Sequence, residues 1–365
     1  MKILDWYIFK KLIITFIFCM LLFTVIAVAV DTSEKTDDFI KTGLTNWEIF
    51  TQYYIGFIPF IWSLLYPLFI FIAVIFFTSK MALRSEVIAI LASGTTYNRF
   101  LRPYLIGGVL LAVVLFVGRR YLIPQANKIQ FEFKRNYLDR NDPLKNRQET
   151  SCYNCFYKRI DSATYIGIKY YNEDTRTGGM FFMDRVKNGK VVYNLRAESI
   201  RWDFDNRRWM AYNVVERNVD SIGEKVSTIY EKPVWLKLSP GELIKDEYLK
   251  DKLTTPELKK FIQREKLRGT EGLNALQVEL YKRTSTPFTV ILLTFIGAVI
   301  ASRRTRGGSG MHLALGIIIA AIFIIADQFS TVFSVKGNFP PLLAAWVPNM
   351  VFAIVAWRLY ITTPK

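Results

Sequence analysis

Six stretches of the chain, about 11–30, 57–78, 101–123, 284–301, 311–331 and 343–361, are almost free of charge. The chain between the third and the fourth is, by contrast, densely charged. An apolar run of about 18 residues or more is long enough to cross a hydrocarbon core roughly 30 Å thick as a helix, in which every backbone group bonds within its own segment. The pattern predicts six membrane-spanning helices, arranged three and three around an insert. The first run invites comparison with a signal peptide, but it is long for one, and Ala27-Val28-Ala29 only loosely imitates a cleavage site. It is read as a retained span.

Within the insert, residues 124–283, the period changes. Gln125 to Tyr137 continues the third span as a helix. From about 151 to 238 the apolar runs become short, β-branched or aromatic: Tyr165-Ile-Gly-Ile-Lys-Tyr170, Met180-Phe-Phe-Met183, Val191-Val-Tyr-Asn-Leu195 and Trp209-Met-Ala-Tyr-Asn-Val-Val215. Turn signals separate them: Asn172-Glu-Asp174, Thr177-Gly-Gly179, Asn188-Gly189 and Asp205-Asn206. Asn-Gly between two strand-like runs is the strongest hairpin cue of the four. This reads as a small antiparallel β-domain, a sandwich or jelly roll. Thr255-Pro256-Glu257 then opens a helix with Leu258, Phe261 and Ile262 on one face, ending near Gly269. A second helical stretch, Leu273 to Lys282, runs into the fourth span. The predicted fold is an α-helical integral membrane protein with six transmembrane helices and an extracytoplasmic all-β, jelly-roll-like domain between spans 3 and 4. Its parts are 1–123 (spans 1–3), 124–283 (β-core about 151–238, helices about 256–282) and 284–365 (spans 4–6).

Arg84-Ser-Glu-Val-Ile-Ala-Ile-Leu-Ala-Ser-Gly94 lies between the second and third spans. Ser85 suits a helix N-cap, Glu86 suits the first turn and Gly94 a left-handed C-cap, while Val87, Ile88, Ile90 and Leu91 share one face. This is a two-turn amphipathic helix. It is either an ordinary membrane-surface loop helix or a coupling helix that docks into a separate motor protein. Charge fixes its side. With the N-terminus inside, the cytoplasmic pieces carry twelve basic residues against two acids, Asp5 and Glu86, whereas loop 31–56 carries two basic residues and five acids. The positive-inside rule places both termini and the Glu86 helix in the cytoplasm and the large insert outside.

The net charge of +17 is spread along the chain and flanks the apolar runs, so topology explains it better than a nucleic-acid groove does. Cys152 and Cys155 form a lone C-x-x-C outside the membrane, with no second pair to complete a zinc site, so they are a local disulfide or free thiols. Cys19 is a small apolar residue in a span, and the single histidine, His312, begins the fifth span as an interfacial residue. Arg303-Arg-Thr-Arg-Gly-Gly-Ser-Gly310 has the composition but not the spacing of a phosphate loop, and no G-x-x-x-x-G-K-[ST] occurs anywhere. Any work the protein does is therefore powered by a partner or an ion gradient. No cofactor or metal is expected.

Asp327 lies inside the fifth span, where an acid faces a cavity or partner, or else reaches the outer interface. Lys35, Lys41, Arg119, Arg120, Lys282, Arg283 and Lys336 sit near the outer surface, against the positive-inside trend. They either snorkel to headgroups or line a cavity for a phosphorylated, strongly anionic ligand.

The combination of motifs resembles the LptF/LptG (YjgP/YjgQ) family of lipopolysaccharide export permeases over essentially the whole chain. The carriers are Arg84-Ser-Glu-Val with Ala92-Ser-Gly94, Pro124, Leu276-x-x-Glu279-Leu280-x-x-Arg283, Pro287, Arg304-x-x-Gly-Gly-x-Gly310 and Pro340-Pro-x-x-Ala-Ala-Trp-x-Pro348. Leu4-Asp5-x-Tyr7-Ile8 and Ala326-Asp327-Gln328 lean toward the LptG side, whereas the lysine of the LptG first span is missing between Lys11 and Lys35, which leaves LptF open. The resemblance implies a permease subunit of an ABC transporter in the bacterial inner membrane. An LptF-like paralogue would be its companion. An LptB-like ATPase dimer would dock on Arg84, Ser85, Glu86 and Gly94. An LptC-like bitopic protein and an LptA-like periplasmic bridge would receive the lipid. On that reading the chain is not itself an enzyme. Two other classes remain: a non-catalytic envelope scaffold, and a lipid-modifying enzyme using Asp327 or Glu279 as acid or base.

Overall fold

The computed structural model describes residues 3–138, 156–161, 163–172, 175–220, 223–236, 238–243, 248–268, 272–303 and 308–362. Its helices are α1 (Ile3–Glu34), α2 (Thr36–Thr42), α3 (Asn46–Leu83), α4 (Glu86–Ala92), α5 (Tyr97–Leu138), α6 (Leu249–Lys252), α7 (Thr255–Arg268), α8 (Leu273–Ala301), α9 (Gly308–Gly337) and α10 (Pro341–Ile361). Six of these, α1, α3, α5, α8, α9 and α10, are long and apolar enough to cross a membrane. They coincide with the six predicted runs but overshoot them. The 42 residues of α5, at ~1.5 Å per residue, are about twice a bilayer core in length. The chain divides into two compact units, residues 1–138 with 250–259 and 274–365, and residues 139–249 with 260–273.

The first unit is the helical bundle. Ile8, Leu12 and Phe16 of α1 pack with Phe69 and Val74 of α3, Tyr104 and Leu111 of α5, and Val290 and Ala298 of α8. A second cluster joins Phe71 and Ile75 of α3 to Leu293 and Ile296 of α8, Phe323 of α9 and Phe352 of α10. Helices α3 and α8 thus belong to both clusters. Gly107 lets α5 approach α1, since a Cβ there would lie 2.3 Å from Leu12 Cδ2. Burial is uneven: 61% of the most apolar window of α8 is buried, but only 17% of the corresponding windows of α1 and α9. Cys19 is buried in the α1 seam, as a small apolar residue would be. His312, expected at the interface, is buried at the start of α9.

Local chemistry sets the irregular points. Thr45 and Glu48 form a reciprocal capping box at the start of α3, with Thr45 N–H donating to Glu48 Oε2 at 2.8 Å. The α5 helix widens to a π-turn over Gly118–Leu122, just before Pro124, which has no N–H to donate to the preceding turn.

The second unit is built on one antiparallel sheet of seven strands: β1 (Phe156–Arg159), β2 (Thr164–Ile168), β3 (Tyr170–Asn172), β4 (Thr177–Lys187), β5 (Lys190–Asp203), β6 (Arg208–Val219) and β7 (Glu224–Val234). The order is β1-β2-β4-β5-β6-β7, with β3 pairing the other half of β4. This is the all-β domain expected between spans 3 and 4. Asn188 and Gly189, both at positive φ (52° and 76°), make the tight β4–β5 turn the Asn-Gly cue predicts. Asp203 accepts from the N–H groups of Asp205 and Asn206 in the β5–β6 turn. Thr177-Gly-Gly179, read as a turn signal, lies instead inside β4. The turn comes one residue earlier, at Arg176 (φ 51°), and Gly179 is small because the Tyr170 ring lies across it, 1.9 Å from where a Cβ would be.

One face of the sheet carries the core: Ile166, Phe181, Leu195, Ile200, Trp209, Ala211 and Val214. Trp209 Nε1 donates to the Leu238 carbonyl at 2.9 Å. The seven antiparallel strands with one apolar face fit a jelly-roll-like domain. The far half of α7 belongs to this unit, where Glu265 is held by Lys158 at 3.1 Å and by Arg268 at 3.2 Å. Cys152 and Cys155, the Asn172-Glu-Asp174 signal beyond Asn172, Gly269 and residues 304–307 of the basic turn lie outside the described residues.

Candidate functional site

Two polar regions stand out in the helical unit, one at each end. The first is α4. Arg84 N–H bonds the Lys80 carbonyl and Ser85 N–H the Ala82 carbonyl, which ends α3 in a tight turn. Ser85 does not cap α4 with its side chain: it sits left-handed (φ 60°, ψ 12°), a geometry that turns the chain sharply instead. Gly94, at φ 83°, follows the last turn as the left-handed residue, its N–H on the Leu91 carbonyl, as expected.

Val87 is buried in the main core cluster, and Ile90 and Leu91 pack partly against it. Ile88, placed on the same face by the i, i+1, i+3, i+4 spacing, is 49% exposed. At about 100° per residue it falls on the outer flank, beside Ala89 and Ala92. Glu86 is more enclosed than a solvent-facing acid, with 28% of its side chain exposed. Tyr7 Oη of α1 donates to Glu86 Oε2 at 3.0 Å, and Lys11 Nζ lies 3.7 Å from the same oxygen. Lys11 also bonds the Tyr7 hydroxyl and lies over the Tyr7 ring. The first helix therefore grips the acidic residue of α4.

The second region lies at the opposite end of the bundle. The seven outer cations have different partners within the chain. Lys35 pairs with the buried Asp31 and donates to Tyr53 Oη at 2.6 Å. Lys41 is exposed, 3.6 Å from Asp38. Arg119 donates to Thr286 Oγ1 at 2.6 Å and reaches Glu279 at 3.5 Å. Glu279 also pairs with Arg283 at 3.3 Å. Arg283 is 4% exposed and further bonds Thr255 Oγ1 at 3.2 Å and the Lys250 carbonyl at 2.9 Å. Lys282 holds Asp327 Oδ2 at 2.5 Å, tying α8 to α9. Arg120 borders a cavity, and its buried Nε has no acceptor among the described residues. Lys336 is exposed near the end of α9.

The π-turn sets the two arginines apart, sending Arg119 into the ionic network and Arg120 to the cavity. Near that network lies Asp251 of α6, whose backbone carbonyl accepts from Asn127 Nδ2 at 2.9 Å. Burial, then the Glu279 charge, pushes the Asp251 carboxyl up to about 6, against the pull of Lys250, Arg119 and Arg283. Asp251 and Tyr53 were not singled out in the sequence, and Tyr7 only as part of Leu4-Asp5-x-Tyr7-Ile8. Tyr7–Lys11 and Asp31–Lys35, both at i, i+4, are the local traces of these contacts.

The residues match the sequence profile of the family described as lipopolysaccharide export system permease LptF/LptG over 6–362, nearly the whole chain. The chain belongs to this LptF/LptG family. Comparison with curated proteins gives no match. As an LptF/LptG permease it is a transporter component, a multi-pass protein of the inner membrane. The Glu279–Arg283 pair, two of the residues that carry the resemblance, is a buried structural tie on α8. Asp327, which an enzyme reading would make an acid or base, is held by Lys282.

Proposed function

We propose that the chain is the transmembrane subunit of an ABC transporter that lifts lipopolysaccharide from the inner membrane and passes it to a periplasmic bridge. An LptB-like ATPase dimer powers it, an LptF- or LptG-like paralogue completes it, and an LptC-like protein and an LptA-like bridge take the lipid onward. The α4 end faces the cytoplasm and the β-unit the periplasm, a reading that the distribution of basic residues supports. The observation that carries the reading is α4 itself. It is a two-turn helix anchored by Val87, with Ile88, Ala89 and Ala92 left on an exposed flank and Glu86 joined to α1.

The energetics require such a motor. Drawing a multi-acyl lipid from the bilayer exposes CH₂ groups at about 0.8 kcal/mol each, so extraction needs both ATP and a covered apolar path. The sheet, with its apolar face, supplies the second. The test is Glu86→Ala. The purified membrane complex should lose most of its co-purifying ATPase and export should fall, while the spans stay folded by circular dichroism. Undiminished docking and export in that variant would count against α4 as the coupling element.

A further inference from the structure

Helices α5, α8 and α10 enclose a groove with a cavity at each end. The cavity at the α4 end, about 420 Å³, is walled by Leu101, Leu105, Phe295 and Trp357. The cavity at the opposite end, about 310 Å³, is of a different kind. Phe116, Leu280, Leu342 and Trp346 form an apolar wall, and Arg120, Lys259 and Arg283 supply cations. No carboxylate lines it. Arg283 is already neutralised by Glu279. Arg120 keeps a buried Nε without an acceptor, and Lys259 is exposed with no ion pair among the described residues. Two cations thus face an uncompensated space beside an aromatic wall.

Length decides what fits. Leu105 and Phe116 mark the two cavities on α5, and eleven residues at ~1.5 Å each separate them by about 17 Å. That is close to half of a roughly 30 Å hydrocarbon core, the depth of one leaflet. Phe288 lies between, 40% exposed and with its ring 5.7 Å from that of Trp346, so the apolar wall continues along the groove. Trp346 stands beside the cations of the second cavity, and such rings anchor at headgroup level.

We propose that this groove binds one resident anionic glycerophospholipid. Its phosphate sits between Arg120 and Lys259, and an acyl chain runs along Phe116, Phe288 and Trp346 toward the bilayer centre. The phosphate supplies the acceptor that Arg120 Nε lacks, and charge-assisted bonds of this kind are among the strong ones. The site is built from α5, α8, α10 and the first turns of α7, and does not depend on the α4 docking reading.

The experiment is to extract the full-length chain from membranes in mild detergent, with whatever assembles with it, and to quantify retained lipid by native mass spectrometry. The wild type should hold a glycerophospholipid in stoichiometric amount, enriched in anionic over zwitterionic species relative to the membrane. Arg120→Gln with Lys259→Gln should weaken retention roughly tenfold or more, the worth of one or two charge-assisted bonds. Leu342→Trp, which fills the apolar side and keeps both cations, should also lose the lipid, and size-exclusion chromatography checks that each variant is folded. Retention equal to wild type in both variants, no phospholipid on the wild type, or a saccharide-bearing multi-acyl lipid as the occupant would each overturn the proposal.

Discussion

The pair Lys282–Asp327 joins two of the residues that the sequence offered as lipid contacts, and it can be tested directly as an internal tie. Their N···O separation is 2.5 Å, with 16% and 28% of the side chains exposed. At an effective dielectric near 20 and ~4 Å between charge centres, the gross attraction is about 4 kcal/mol. Desolvation of both groups offsets most of that, leaving a net coupling of about 1–2 kcal/mol. Lys282→Met and Asp327→Asn should each cost about 2–3 kcal/mol, because each leaves one charge poorly solvated. The double variant should cost less than the two singles together, by that coupling. Thermal unfolding of the four forms in detergent completes the cycle, and additivity within about 0.5 kcal/mol would refute a coupled pair. The exchanged variant, Lys282→Asp with Asp327→Lys, should regain most of the stability, and export with it. Restored stability with export still lost would instead mean that Lys282 meets the cargo.

Asp251 gives a pH prediction. Its folded value of about 6 lies above the ordinary carboxyl value of about 3.9, so the folded state favours the protonated form. That contribution is complete below about pH 4 and is lost as the pH rises through 6. Asp251→Asn should therefore be more stable than wild type at pH 8, by up to about 3 kcal/mol, seen as a higher unfolding temperature, and match it near pH 4. A loss at pH 8 would mean that Arg119 and Arg283 need the carboxylate. In the β-unit, Trp209→Phe removes the donor to the buried Leu238 carbonyl and should cost about 2 kcal/mol, against 3–5 for Trp209→Ala, read as faster proteolysis of this unit in the full-length chain.

The spans were legible because bilayer thickness imposes a length that composition alone reveals, and the β-unit because Asn188-Gly189 permits few other turns. What escaped had competing local explanations. Thr177-Gly-Gly179 has the composition of a turn, but Gly179 is selected by the Tyr170 ring of the neighbouring strand, a contact no local window contains. Ser85 has the side chain of a cap but the backbone of a left-handed hinge. The outer cations looked like one set because sequence shows charge and not partners. In the fold, Lys35, Arg119, Lys282 and Arg283 answer to Asp31, Glu279 and Asp327, and of the seven only Arg120 keeps a buried donor without an acceptor among the described residues.

The uneven burial of the spans bears on how such a permease works. α3 and α8 sit in both core clusters, so displacing either would open the bundle at a cost spread over many buried side chains. α1 is different. Its apolar seam is narrow, and polar ties hold it near both ends: Tyr7 and Lys11 to Glu86, and Asp31 and Lys35 to Tyr53. Its 32 residues at ~1.5 Å make a rod of about 48 Å. Under the transporter reading, force on α4 reaches this rod through Glu86 and through the shared packing of Val87 with Ile8 and Leu12. Exchanging a few hydrogen bonds and a short seam costs far less than repacking α8, so α1 is the span that a motor docked on α4 moves first.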